Sequence, residues 1–201
     1  GAALLLALGA GGTFLLRRAT VASTGSSPAG VTRLAVLPFE NLGDTADAYF
    51  ADGIADELRG KLSTVPGLEV IARASSVQYR GTTKPPQEVA KELGVRYLLT
   101  GTVRWQKQAD EQGRVRVSPE LIEVSASGAP ATKWQQPFDA ALTDVFQVQS
   151  GIASQVANAL DVALGAATQR TLASRPTKDL QAWDAYLRGE AAWGNGNNGA
   201  P

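Results

Sequence analysis

Asp52, Asp56 and Glu57 place three carboxylates on one stretch of helical spacing. Paired carboxylates do acid and base work when their surroundings drive their pKa values apart. Nothing in the flanking sequence supplies such a difference, so the plainer reading is solvated charge on the polar face of a helix. Ser75-Ser76 offers hydroxyl nucleophiles, but the chain contains no histidine to activate one. Gly9, Gly11 and Gly12 sit inside an apolar run instead of between a strand and an amphipathic helix, and Gly101-Thr102 lacks the lysine of a phosphate-cradling loop. Arg73, Arg80, Arg96 and Arg104 would bind an anion if strand ends gathered them; otherwise they are scattered surface charge. Trp105, Trp134 and Phe138 supply large apolar area, either to line a ligand pocket or to fill the core. The candidates for ligand or partner binding are therefore Arg73, Arg80, Arg104, Trp105 and Trp134. No catalytic residue, no metal ligand set and no cofactor is expected.

Composition narrows the classes further. A chain of 201 residues holds one ordinary domain with a core, plus an anchor and a tail. Its 44% apolar and 19% charged residues place it among folded proteins. Nineteen basic residues balance nineteen acidic ones, without a basic patch, so a nucleic-acid partner is not expected. Cysteine is absent, which excludes disulfides and thiolate metal sites and leaves the redox compartment open. The lack of histidine removes the commonest general base and zinc ligand. Methionine is missing, also at position 1, which predicts a start partway through a longer reading frame.

The elements that must position these residues follow from periodicity. Residues 1 to 16 carry no charge, are rich in Ala, Leu and Gly, and end at Arg17-Arg18, as in the last part of a membrane-spanning helix. A cleaved signal peptide is the competing reading. Residues 19 to 30, rich in Ser, Thr, Gly and Ala, read as a tether. Leu34 to Phe39 is an apolar run that fits a central buried strand. Phe50, Ile54, Leu58 and Leu62 then make a helical stripe, capped by Asp44 or Thr45 and stopped at Pro66-Gly67. Leu68 to Arg73 returns to a strand, and Pro85-Pro86 opens a short helix that leaves through Gly94.

Val95 to Trp105 is the next strand, with Tyr97, Leu99, Val103 and Trp105 on one face and Leu98, Thr100, Thr102 and Arg104 on the other. Gly101 in its middle predicts a bulge or a close backbone approach. Arg114 to Val124 is its antiparallel partner, with a bulge expected near Pro119 because the apolar parity changes there. Thr132 to Phe138 is read as a last strand. Val145, Val148, Ile152, Val156, Leu160 and Ala163 form a second helical stripe ending near Gly165. Leu180, Trp183, Tyr186 and Leu187 begin a third amphipathic helix. The fold class is α/β, a mixed sheet flanked by helices in two or three layers. An N-terminal transmembrane segment precedes it and a C-terminal helix follows.

The segments LAVLPFENLGDTADAYFADGIADELRGKLSTVPGLEVIAR, SSVQYRG, VAKELGVRYLLTGTVRW and FDAALTDVFQVQSGIASQVANAL, in this order, resemble the FlgO-like domain, also described as TolB-amino-terminal-like. The resemblance covers about residues 33 to 164, and RVSPELIEV departs from the family pattern by placing Pro119 inside a strand. DLQAWDAYLRGEAAW is similar to the entry into tetratricopeptide repeats.

The residues and the resemblance together predict an anchor over 1–18, a linker over 19–30, the α/β domain over 31–165, a linker over 166–178 and the start of a repeat region over 179–201. It implies a non-catalytic, membrane-tethered sensory or scaffolding region of a bacterial receptor-like serine/threonine kinase. The kinase's own HRD and DFG signatures are absent. Its partners would be proteins, met through the α/β domain and the repeats, and the membrane, met through residues 1–16. The setting is the bacterial inner membrane, crossed once, with the domain outside the cytoplasm, although Arg17-Arg18 favours the cytoplasmic side. The alternatives are an envelope structural or assembly protein, or the same domain in an adenylate cyclase or a winged-helix regulator. A nucleotide-handling enzyme is a third class.

Overall fold

The structure, a computed structural model, describes residues 31–106 and 113–197. The anchor and tether expected over residues 1–30 lie outside them. Among the described residues no helix is long and apolar enough to cross a membrane.

In chain order the strands are β1 (Thr32–Val36), β2 (Glu40–Asn41), β3 (Leu68–Val70), β4 (Tyr97–Gln106), β5 (Arg114–Glu123), β6 (Ala131–Gln135) and β7 (Phe138–Ala141). The helices are α1 (Ala48–Ser63), α2 (Arg73–Ser76), α3 (Pro86–Leu93), α4 (Val145–Ala159), α5 (Ala166–Ala173) and α6 (Leu180–Asn197). The strands form one mixed sheet in the order β3-β1-β4-β5-β6. β2 adds to β4 beyond β1, and β7 adds to β5 beside β6. β3, β1 and β4 run parallel, and β4-β5 is a long antiparallel hairpin.

Helices cover both faces. On one, Leu34, Val36, Leu99, Val103, Val117 and Leu121 pack under the α1 stripe Phe50, Ile54, Leu58 and Leu62 and the α4 stripe Val145, Ile152 and Val156, all fully buried or nearly so. On the other, Ala35 and Leu98 pack against Val89 and Ala90 of α3, with Ile122 and Val124 at the margin. The parity change in β5 is thus two covered faces of one regular strand.

The bulge is not at Pro119. Register runs unbroken through Gly101↔Pro119. The Val124 amide donates to the Arg96 carbonyl, so by alternation the even residues of β5 point their backbone groups at β4 and the odd ones at the outer edge. Pro119 therefore faces the gap between the last β7 partner, Val117, and the first β6 partner, Glu120, where its missing N–H costs no ladder bond. The irregularity lies in β6, which skips Lys133 opposite Leu121 and Ile122.

Other boundaries move for local reasons. The Asp44 carboxylate accepts from the Ala46 amide at 2.9 Å and caps the 3₁₀ turn leading into α1. The strand expected through Arg73 stops at Val70, and Arg73 opens α2. Pro137 splits the expected last strand into β6 and β7. α4 ends before Gly165: Asp161 turns left-handed at φ 56°, and the Val162 amide returns to the Ala157 carbonyl, satisfying the helix end. The linker expected over 166–178 contains α5, whose Leu172 is buried.

α6 packs across α1. Trp183 meets Phe50 and Phe146 edge-on at 5.4 and 5.1 Å, and Leu187 lies against the bare backbone of Gly53. The Tyr49 hydroxyl donates to Asp184 at 2.5 Å. Burial first, and then this bond, push the tyrosine's pKa upward.

Candidate functional site

β1 leaves the sheet at Val36 between β3 and β4, and the connections from this point run to opposite sides. Such a switch of direction opens a crevice beyond the carboxyl ends of the strands. Here it is a cleft of about 630 Å³, walled by Leu37 to Asn41, by Tyr79 to Thr82, and by Thr100 to Thr102 with Ser118 and Glu120.

Local sequence explains its polarity. On the even face of β4, Leu98 lies under α3, but the cover stops there, and Thr100 and Thr102 line the open cleft with Ser118 and Glu120 of β5. Gly101 keeps the cleft floor tight. A side chain there would meet a Phe39 ring carbon and the Ser118 carbonyl at 2.9 Å, and Pro119 Cα at 3.0 Å. Close backbone approach, not a bulge, is the reason for this glycine. Asn41 is spent on its own loop, accepting from the Gly43 amide and donating to the Asp44 carbonyl. Glu120 accepts from the Thr132 hydroxyl at 2.5 Å.

Beside the cleft the head of α1 meets a cluster of arginines. Arg80 donates to Asp52 at 2.5 Å, Arg73 donates to Asp56 at 2.7 Å, and Arg59 also pairs with Asp56. Arg59 reaches the Val36 carbonyl at the end of β1, 3.3 Å away. Asp52 and Asp56 are therefore ion-paired at a solvent-exposed surface of α1, to arginines about half exposed.

The sequence candidates separate. Arg73 and Arg80 come together, lining one narrow cleft with Arg59, Asp52 and Asp56. Arg96 sits before β4 and bonds Glu123, and Arg104 is exposed in the strand, so the four arginines do not form one anion site. Trp105 stacks on Phe50 at 4.5 Å, and Trp134 tilts against Phe138 at 6.3 Å. All three rings pack against the main core, away from the crevice. Sequence reasoning missed the hydroxyls of Thr100, Thr102 and Ser118; the signal was a strand face turning from Leu98 to threonine.

No family model matches the chain. A protein of Rhizobium meliloti (strain 1021) named "Putative adenylate cyclase 3" is 39% identical over 160 residues, 79% of this chain. The chain spans 26% of that relative's length. Among solved structures, the PelC dodecamer from Paraburkholderia phytofirmans is 20% identical and covers 68% of this chain and 92% of its own, with a TM-score of 0.45. Lipoprotein GNA1162 from Neisseria meningitidis is 16% identical and covers 63% and 99%, with a TM-score of 0.43.

Proposed function

We propose that this chain is a non-catalytic binding and regulatory module of a multidomain bacterial signalling protein of the adenylate cyclase type. The carrying observation is the 39% identity over 160 residues to a quarter of a relative named as a cyclase. On this reading the crevice beyond β1 takes a small ligand rich in hydroxyl or amide groups. The same identity favours the cyclase form of the reading over the serine/threonine kinase form. The FlgO-like assignment, the membrane tether over residues 1–16 and protein partners through the α/β domain and the repeat region belong to this proposal.

The test is to express the complete parent reading frame, and separately this chain, in a bacterial host lacking its own cyclase, and to measure cyclic AMP. The parent makes cyclic AMP, this chain alone makes none, and deleting residues 31–197 from the parent changes the rate without abolishing it. Cyclic AMP from this chain alone, or a parent frame without a cyclase region, overturns the reading.

A further inference from the structure

The even face of the β4-β5 hairpin changes chemistry along its length. Thr102 faces Ser118 at the crevice, and the next pair outward on the same face is Arg104 opposite Arg116. Both arginines are exposed, and Arg114, opposite Gln106, adds a third one step further out. Like charges directly opposite each other destabilise a sheet. The fold relieves part of this repulsion: Asp139 of β7 accepts from Arg114 at 2.8 Å and lies 4.0 Å from Arg116. No described residue pairs with Arg104.

The arginines and the crevice hydroxyls belong to one surface. Successive side chains on a strand face are about 7 Å apart, so Arg104 and Arg116 stand next to the hydroxyls of Thr102 and Ser118. Two carboxylates, Asp139 and the Glu40 that is the register partner of Thr102, adjoin the three arginines and leave one net positive charge. That surplus suits a monoanion, whereas a phosphate monoester, with about two negative charges, exceeds it. Arg80, on another wall of the crevice, is already bonded to Asp52. Further in, Thr100 and Glu120 offer a ligand's hydroxyl groups one more donor and two more acceptors.

Taking the crevice as the ligand site of the proposed module, we propose that its ligand is a sugar acid, with ring hydroxyls against Thr102 and Ser118 and a carboxylate held by Arg104 and Arg116. Threonine and serine hydroxyls both donate and accept, as a polyol requires. A guanidinium matches a carboxylate in a planar, charge-assisted pair. The bound carboxylate also cancels the repulsion across the strands, which the protein alone leaves standing at Arg104.

Titration of the isotope-labelled full chain, followed by amide NMR shifts, tests this with glucuronate, galacturonate and mannuronate, against the matching neutral hexoses, acetate and glucose 6-phosphate. At least one uronate shifts the amides of Thr102, Arg104, Arg116 and Ser118 and binds about fivefold more tightly than its neutral hexose. Arg104→Gln, at an exposed position, removes that difference and raises Tm by taking away a like-charge pair. Ser118→Ala weakens uronate and hexose alike, by about threefold. Uronate and hexose binding equally, with Arg104→Gln without effect, overturns the sugar acid and leaves the crevice a site for neutral polyols. Acetate binding as tightly as the uronates, glucose 6-phosphate binding more tightly, or no shift with any of the three uronates overturns it as well. None of these outcomes bears on cyclic AMP production by the parent frame, so the module reading stands or falls separately.

Discussion

Two glycines of α1 separate the helix's own preference from its contact with α6. Gly53 and Gly60 both lie inside α1, and alanine is better than glycine in a helix interior by roughly 1 kcal/mol at either position. A methyl at Gly60 meets nothing within 4 Å. A methyl at Gly53 lies 2.5 and 2.6 Å from the two Leu187 methyl carbons and 3.0 Å from Leu187 Cγ. Because Cγ itself is close, turning the end of the leucine does not relieve the overlap, and either α6 shifts or Leu187 changes rotamer. Overpacking of this kind costs roughly 1–3 kcal/mol. Gly60→Ala should therefore raise stability by about 1 kcal/mol, or roughly 2–4 °C in Tm for a chain of this size. Gly53→Ala should fall below Gly60→Ala by roughly 1–3 kcal/mol. Urea denaturation measures the difference, and hydrogen exchange shows where it arises, with protection lost in α6 before the sheet. Equal stabilisation by both alanines, with α6 protection unchanged, refutes the seating of Leu187 on Gly53.

Glu57→Gln should raise Tm at neutral pH. The folded-state pKa of Glu57 lies above its unfolded value, so the penalty of burying the carboxylate is absent below the unfolded pKa, grows between the unfolded and folded pKa values and is complete above the folded one. Lys61, Asp56, Glu190 and Tyr186 are the charged or titratable groups around it. The gain stays below about 1 kcal/mol because the site is half open to solvent, and it vanishes in acid; a gain that persists unchanged in acid contradicts it. Gly101→Ala should destabilise by roughly 1–3 kcal/mol, since the new methyl meets backbone atoms of Ser118 and Pro119 as well as Phe39; an unchanged urea midpoint would show that the strands do not approach so closely. Ile54→Asp and Val156→Asp each bury an unpaired charge in fully buried core positions, and both should abolish cooperative unfolding by circular dichroism. A normal transition in either variant would remove that residue from the core.

Where one element buries one face, the sequence was readable. The stripes Phe50-Ile54-Leu58-Leu62 and Val145-Val148-Ile152-Val156 are helices because nothing competes with their periodicity. Proline and glycine placed both ends of α3 correctly, through Pro86 and the left-handed Gly94. The errors lie where a second face or an unusual cap intervenes. The end of α4 is invisible because Asp161, not glycine, takes the left-handed position. The β5 parity change looked like a bulge because the pattern does not reveal that α3 covers the opposite face at Ile122.

The crevice and the state of Glu57 were illegible for a related reason. Leu98 and Thr100 share one strand face, and only the place where α3 ends decides that one is core and the other lines a crevice. Glu57 and Lys61 have the i,i+4 spacing of an ion pair, and a helix on its own would satisfy both. Here the carbonyls of Leu172 and Ser174, more than a hundred residues along the chain, take the ammonium. A buried lysine offered two carbonyls at the end of a helix gains charge-assisted bonds in a drier setting than a half-exposed carboxylate supplies. The unpaired state of Glu57 is thus a consequence of the docking of α5 against α1, and no local sequence rule contains it.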